Sequence, residues 1–407
     1  MALDYDSLRS KYAGFSNPRI YIECNGKDIL KKNPDLVLTD IQIDLSAGFE
    51  ASVASFAIYN CYDMSKGQYK VSDIQNSIGI GTPIKMATGY DNNLTVVFVG
   101  VITKVNFTFD SPEIPFIRVT AMDVRSIMMA NCYSKQLLAT YYNAAVEEIF
   151  SAPVYQKLIA KEVISQLSIS MTPDNPASGA GALDMAATPP TPPALPPTIE
   201  MVAESDYEFI VKVAKKFNYD FFVIGSEVIF RPAKIDTDVL MQMAPQNILR
   251  DFDIEYDITG QVSEVEVRST DTDKGKVISS KQSISNTWSN GNKASALVKG
   301  HKRIYLDSTV HDEKEAGYRV SSLVEDISYR YATLECTTVG LPELLPGKFV
   351  EIAGLGTGPN NTFYVTSVRH VLNKSGMYKC MITGKAASLP MDPSSAAMSA
   401  LTGALPF

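Results

Sequence analysis

Alternation of apolar and polar residues opens the chain. Ile20 and Ile22 alternate with polar neighbours in Arg19–Cys24, and Leu36–Leu45 carries the pattern further. There Leu36 and Leu38 keep one phase, while Ile41, Ile43 and Leu45 keep the other. A one-residue slip of phase inside a strand predicts a β-bulge. Ser52–Asn60, Pro83–Tyr90, Leu94–Phe109 and Pro115–Asp123 complete six candidate strands between residues 18 and 125. Asp91-Asn92-Asn93 supplies a turn between two of them. Leu94–Phe109 is long and holds Gly100 in its middle, which predicts a bend or bulge at a barrel corner. Strands so spaced, with turn signals between them, predict a barrel or a sandwich.

The period then changes. Leu137, Leu138, Tyr141, Tyr142, Ala145, Val146, Ile149 and Phe150 draw one face of a helix between Gln136 and Phe150, and a second amphipathic stretch, Val154–Leu167, follows Pro153. Thr172–Thr198 contains eight prolines, six of them among the nine residues Pro189–Pro197. Such a segment lacks backbone donors and predicts an extended spacer. Ser205 and Glu208 form an S-x-x-E capping box ahead of a helix that buries Phe209, Ile210, Val213, Ala214 and Phe217. Asn218 is suited to a left-handed helix end, and Phe221–Ile224 with Val228–Arg231 predict a hairpin around Gly225-Ser226.

Strands resume at Ile248–Tyr256, Gln261–Ser269, Lys276–Gln282 and His301–Leu306. A helix capped by Asp312 and Glu315 follows, with Ala316, Val320, Leu323, Val324 and Ile327 on its apolar face. Tyr331–Val339, Lys348–Ala353, Thr362–Val371 and Tyr378–Thr383 are the last candidate strands. The pattern predicts a β-rich α+β protein. It divides into a strand-rich block at 1–125, a smaller α+β part at 126–245 with the Pro-rich insertion 172–198, a second strand-rich block at 246–390, and a small weakly apolar tail at 391–407 that docks on a neighbour or stays disordered. The two blocks do not match residue for residue; their similar size hints at duplicated architecture.

A length of 407 residues agrees with two or three domains. The 37 Lys and Arg against 45 Asp and Glu leave a charge of −8, which argues against a surface built to grip nucleic-acid phosphates. Twenty Tyr and 17 Phe against one Trp favour strands. Cys24, Cys61, Cys132, Cys336 and Cys380 are scattered and form no C-x-x-C pair, so buried thiols in a reducing compartment are expected. The longest apolar runs, such as Val96–Val101, fall far short of the roughly 20 residues that span a bilayer. The acidic N-terminus is unlike a Sec signal, so folding in a cytoplasm without a membrane anchor is expected.

Little of the sequence advertises chemistry. Gly354, Gly356 and Gly358 are spaced like a phosphate loop, but a strand rather than a helix follows, so a hairpin loop is expected. Asp271, Asp273 and Gly275 start like a calcium loop but lack its further acidic ligands, so a polar turn is expected. His301, His311 and His370 lie on separate elements without metal-ligand spacing. A Cys–His nucleophile pair stays open, since its partners need only meet in space. Glu208 and Glu315 read as capping acids, and the Asn-x-Ser/Thr sites at Asn106 and Asn373 mean little without an export signal. No catalytic, cofactor-binding or metal-binding residue is assigned, and a structural role is expected.

Three segments carry a resemblance. Ala203-Glu204-Ser205-Asp206-Tyr207-Glu208-Phe209-Ile210, continuing through Ala214, Tyr219, Phe221-Phe222-Val223 and Ile229-Phe230-Arg231-Pro232, resembles a stretch of the phage tail baseplate hub proteins of the late control protein D family. Asn218 stands where that family commonly has Gly. Leu341-Pro342-Glu343-Leu344-Leu345-Pro346-Gly347-Lys348-Phe349-Val350, with Phe363-Tyr364-Val365-Thr366-Ser367-Val368-Arg369-His370, is similar to the family's C-terminal pattern, and Phe98-Val99-Gly100-Val101-Ile102 to a strand of its first barrel. The likeness spans residues 18–388.

The resemblance implies two tail-tube-like antiparallel β-barrels joined by a smaller α+β part, no enzymatic activity, and His370 as a packing residue. It implies a homotrimer whose six barrels match a sixfold tail tube protein above and a separate threefold spike protein below, beside other baseplate subunits. A tape-measure protein or DNA passes through the channel, and net negative charge suits a lumen that repels phosphate. The implied setting is the baseplate of a virion or phage-tail-like particle, made in the host bacterial cytoplasm and contractile in the leading reading. The hub of a non-contractile tail, or a tail-borne cell-wall hydrolase, is the alternative. The hub part of VgrG-type secretion spikes is related.

Overall fold

The computed structural model describes residues 3–32, 34–70, 78–109, 114–175, 199–271, 275–284, 297–356, 359–373 and 376–387. The Pro-rich segment beyond residue 175 and the tail from 391 lie outside the described residues.

After helix α1 (Tyr5–Lys11), the first block runs through β1 (Pro18–Cys24), β2 (Lys27–Asp28), α2 (Ile29–Lys32), β3 (Val37–Ser46), β4 (Val53–Tyr59), β5 (Tyr62–Asp63), β6 (Gln68–Tyr69), β7 (Pro83–Tyr90), β8 (Asn93–Thr108) and β9 (Phe116–Met122). The slip of phase in β3 is a bulge: Asp40 has φ 51°, and the register against β4 shifts between Thr39 and Gln42. β8 turns a corner. Its first half pairs with β7 and its second with β9, and its register against β9 shifts between Ile102 and Lys104. Gly100 sits at the turn, where a Cβ would stand 2.2 Å from the Met122 carbonyl oxygen. The sheet therefore folds over itself, and Ile22, Ile43, Phe56, Met86, Phe98 and Val119 share one core. Among the described residues no pairing joins β1 to β3, so the ladders do not close this unit into the tube-like barrel that the resemblance implied.

The α+β part holds α3 (Arg125–Met128), β10 (Tyr133–Gln136), α4 (Tyr142–Phe150), α5 (Pro153–Ala160), β11 (Gln166–Ile169), β12 (Glu200–Glu204), α6 (Asp206–Phe217), β13 (Tyr219–Ile224) and β14 (Glu227–Pro232). The helix expected from Gln136 begins only at Tyr142, because Tyr133–Gln136 is drawn into a ladder with β12. The next helix stops at Ala160, because Gln166–Ile169 pairs in parallel with β14. α6 starts on the full reciprocal Ser205–Glu208 capping box and ends on Asn218 at φ 58°. Its apolar face packs with Val146, Phe150, Phe221 and Phe230.

The last block holds β15 (Val239–Met243), β16 (Leu249–Tyr256), β17 (Glu264–Asp271), β18 (Lys276–Ser283), β19 (Lys302–Leu306), α7 (Glu313–Ser328), β20 (Ala332–Val339), β21 (Phe349–Ile352), β22 (Asn361–Leu372) and β23 (Tyr378–Ala386). Here the expectation of one strand-rich unit needs correction. β17, β18 and β19 form a separate sheet, and Val265, Val267 and Ile278 pack on Ala316, Val320 and Ile327 of α7. This module is an insertion between β16 and β20, whose near ends stay together: Asp257 N–H donates to the Tyr331 carbonyl. The remaining strands fold around a core that includes Met241, Val350, Phe363, Ile382 and, from the N-terminal segment, Leu8 and Tyr12. β22 also pairs with β3, from Ser367–Ser46 to Leu372–Ile41, so both blocks share one 13-stranded sheet.

Candidate functional site

One surface dominates the molecule. Eight strands lie side by side in the order β16-β20-β23-β22-β3-β4-β9-β8, each antiparallel to the next. Strict alternation sends Leu334, Ile382, Val368, Ile43, Phe56 and Val119 to the buried side. The same alternation sends Glu255, Glu335, Thr383, Arg369, Asp44, Ser55, Thr120 and Lys104 to the other side, where they are half-buried or exposed. The result is a largely polar wall that crosses both blocks, with Val53, Met122, Val371 and Met381 among its apolar members. Arg369 and Asp44 form an ion pair over the β22–β3 joint.

The wall repeats itself. Chain order β3, β4, β7, β8, β9 corresponds to β16, β20, β21, β22, β23, and the pairings correspond too: β3-β4-β9-β8-β7 against β16-β20-β23-β22-β21. β22, like β8, is a long corner strand, and its register against β23 shifts between Val365 and Ser367. The residue inside each shift is a threonine with the same contact. Thr103 Oγ1 donates to the Thr120 carbonyl at 3.4 Å, and Thr366 Oγ1 to the Thr383 carbonyl at 3.1 Å. On one edge β22 pairs first with β21 and then with β3. On the matching edge β8 pairs first with β7, and its second half has no strand beyond it among the described residues. β16 likewise has no strand on its outer side among the described residues. Among the described residues the wall thus ends in two unpaired edges.

Buried polar groups hold the joints. Arg125 and Asp123 are fully buried; Arg125 donates to Asp123 at 2.7 Å, to the Gly48 carbonyl at 2.9 Å and to Ser52 Oγ at 3.3 Å. This ties the β3–β4 turn and the end of β9 to the α+β part. Asp206 accepts from Tyr133 and Tyr155 at 2.5 Å and from Asn131 at 2.8 Å, at the N-terminus of α6 where its charge suits the helix dipole. Between the two halves of the wall, Tyr378 OH lies 2.8 Å from both Thr88 Oγ1 and His370 Nδ1, and Tyr90 OH donates to the Gly340 carbonyl at 2.9 Å.

The structure does bring a cysteine and a histidine together: Cys380 Sγ lies 3.2 Å from His370 Nδ1. Both are buried. Burial pushes the thiol up to about 12 and the imidazole down to about 4. A neutral thiol beside a neutral imidazole, sealed from solvent, is neither an activated nucleophile nor reachable by substrate. The pair is a packing contact, the role that the resemblance implied for His370.

Other sequence candidates fall as turns and caps. Gly354 and Gly356 take φ 76° and 86° in the connection from β21 to β22; Gly358 lies outside the described residues. Asp271 and Gly275 flank the β17–β18 hairpin, with Asp273 outside the described residues. His301 and His311 are exposed and remain apart from His370. Glu315 caps α7 and also pairs with Lys216 of α6, so it docks the inserted module on the α+β part. Among the described residues no group of three or more His, Cys, Asp or Glu is placed to hold a metal ion, and no helix is long and apolar enough to cross a membrane. Cys24, Cys61 and Cys336 are buried and Cys132 is exposed, all as free thiols. The sequence reading missed the Asp123–Arg125 and Asp206 networks. Asp206 had a signal, since it lies inside the most specific motif.

Residues 195–374 match the model of a family described as the Alg8 N-terminal domain. That is under half of the chain, and it stops between β22 and β23. No curated protein matches the sequence. Solved structures do match. A tail protein from Neisseria meningitidis MC58 superposes with a TM-score of 0.60 at 12% identity, covering 91% of this chain and 97% of that one. The 43 kDa tail protein of prophage MuSo2 from Shewanella oneidensis gives 0.61 at 12% identity, covering 90% and 98%. The E. coli c3393 protein gives 0.50 at 9% identity, covering 88% and 74%; it is a type VI secretion component with structural similarity to the T4 tail proteins gp27 and gp5. The chain therefore has the fold of these tail proteins.

Proposed function

We propose that this protein is a structural baseplate hub. Three copies form a ring that joins a hexameric tail tube to a trimeric spike, in the baseplate of a contractile phage tail or tail-derived particle. One observation carries this reading: the wall consists of two four-stranded units of the same order, joined edge to edge within a single chain. Three such chains supply six equivalent units, which is what a threefold object needs to present a sixfold face. The fold shared with tail proteins and the three resembling segments support it. The polar face lines the channel, where charged and hydroxyl groups outnumber apolar side chains such as Met381 and Val371 and leave passing polymer little apolar surface to adhere to. Residues 1–125 and 246–390 contribute one unit each, and 126–245 holds them.

The reading is tested by native mass measurement of the purified chain, alone and with its spike. A trimer is expected in at least one of the two. A chain that stays monomeric in both, and is absent from purified particles, refutes it. Clearing of peptidoglycan by the purified chain would support the hydrolase reading instead.

A further inference from the structure

A cleft of about 980 Å³ lies between α6 and the inserted module. That is the upper end of the range for sites that hold a ligand. Tyr207, Val211 and Lys215 recur at every fourth residue of α6 and all line it, so the cleft follows one face of the helix along its length. Phe49, Tyr142 and Ile199 add to the lining, and Val310 and Arg319 contribute from the module.

We propose that this cleft is the docking groove for the Pro-rich segment of its own chain, with Pro189–Pro197 seated along α6 in extended polyproline form. The groove is bounded by both α6 and the module, so the seated segment fastens one to the other. The contact lies within each chain and holds whether or not three chains form a ring.

Three observations argue for this occupant over any other. First, place: the chain on both sides of residues 176–198 is fixed at this cleft. Before them, Asp174 accepts from the N–H of Tyr142 at 3.0 Å, and Tyr142 lines the cleft. After them comes Ile199, itself part of the lining, whose carbonyl accepts from the Leu137 N–H at 2.9 Å. Tethering at both ends keeps the local concentration of the segment at the cleft high. Nine residues in polyproline form span about 28 Å, against about 18 Å for the 12 residues of α6, so the stretch reaches along the groove. Second, chemistry: polyproline offers ring faces and carbonyl acceptors but no backbone donors. The groove supplies the half-buried rings of Phe49, Tyr142 and Tyr207 and the exposed donors Lys212, Lys215 and His311, the features by which such chains are bound. Third, charge: Lys212 pairs with Glu204, Lys216 with Glu315 and Arg319 with Asp307, so these cations are already matched. That disfavours an acidic peptide or a nucleic acid and suits an uncharged strand, and Thr188–Thr198 contains no charged residue.

The test is photo-cross-linking in the full chain. Benzoylphenylalanine replaces exposed Lys212 on the groove or, as a control, exposed Lys276 on β18. After irradiation the linked peptides are mapped by mass spectrometry. Linkage from position 212 to residues 176–198 of the same chain is expected, several-fold above that from position 276. Linkage of the segment only to another chain, read as a doubled mass under denaturing conditions, overturns the proposal. So does equal linkage from both positions, or none to the segment. Replacing the six prolines of Pro189–Pro197 by glycine is expected to lower the linkage several-fold, and undiminished linkage in that variant overturns the polyproline basis. Circular dichroism spectra matching the wild type show that the variants fold.

Discussion

The two halves of the wall share a plan and differ in how it is secured. In the first, β3 runs into β4 through a short turn, and a sealed ion pair, Asp123–Arg125, pins that turn to the α+β part. In the second, the equivalent strands β16 and β20 are separated by a whole module, and the contacts to the α+β part are softer. They are a part-exposed Lys348–Asp236 pair, Arg231 donating to the Gly347 carbonyl at 3.1 Å and Tyr364 donating to Asp220 at 2.9 Å. Duplication of a unit therefore preserves the ladders, where a change of register would turn side chains to the wrong face. It leaves turns and anchors free to diverge.

The contrast predicts unequal responses to mutation, and the largest falls on the anchors. Arg125→Met leaves Asp123 buried without its counter-charge and is expected to cost about 3–5 kcal/mol in a denaturant melt. Lys348→Met removes a part-exposed pair and is expected to cost less than about 1 kcal/mol. Equal losses would contradict the difference drawn here.

The next effect concerns the seam between the halves. His370 is held neutral by burial, with its value lowered to about 4 from 6.5. Above pH 6.5 the ring is neutral whether the chain is folded or not, so nothing is lost. As pH falls below 6.5 the unfolded chain takes up a proton that the folded chain refuses. Stability then drops progressively toward pH 4, by about 3 kcal/mol in all. His370→Gln should remove that component, so the stability difference between variant and wild type, followed by melts from pH 7 to 4, is expected to shift in the variant's favour on acidification. A difference independent of pH would show that the seam does not depend on the neutral ring.

The corners differ as well. A Cβ at Gly100 would meet a main-chain carbonyl oxygen at 2.2 Å, whereas one at Gly384 would meet Phe363 Cβ at 3.0 Å and the Tyr364 carbonyl at 3.3 Å. Gly100→Ala is expected to cost about 2–3 kcal/mol and Gly384→Ala less than about 1 kcal/mol by thermal melt. A last, local effect lies outside both halves: Ser205→Ala removes the cap of α6 for about 1 kcal/mol and should leave assembly of the wall unchanged.

What the sequence disclosed follows range. The α6 capping box, the bulge in β3, the Asp91 turn and the bend at Gly100 depend on neighbours a few residues apart, and they were legible. The β22–β3 joint depends on residues more than 300 positions apart, and periodicity carries no information about it. The strands of the inserted module alternate like those of the wall, so only the helix they cover tells them apart. Asp123 and Arg125 read as an ordinary polar pair, because nothing local marks a charge that will be sealed. The meeting of His370 and Cys380 was within reach, since the two residues are paired across the β22–β23 hairpin.

The most direct test of the hub account is an electron cryomicroscopy reconstruction of the trimer, or of the particle at its junction of tube and spike. The account predicts three copies around an open channel, six four-stranded units in the wall, and Arg369, Asp44 and Lys104 facing the lumen. Copies arranged without a channel, or with this polar face turned outward, would contradict it.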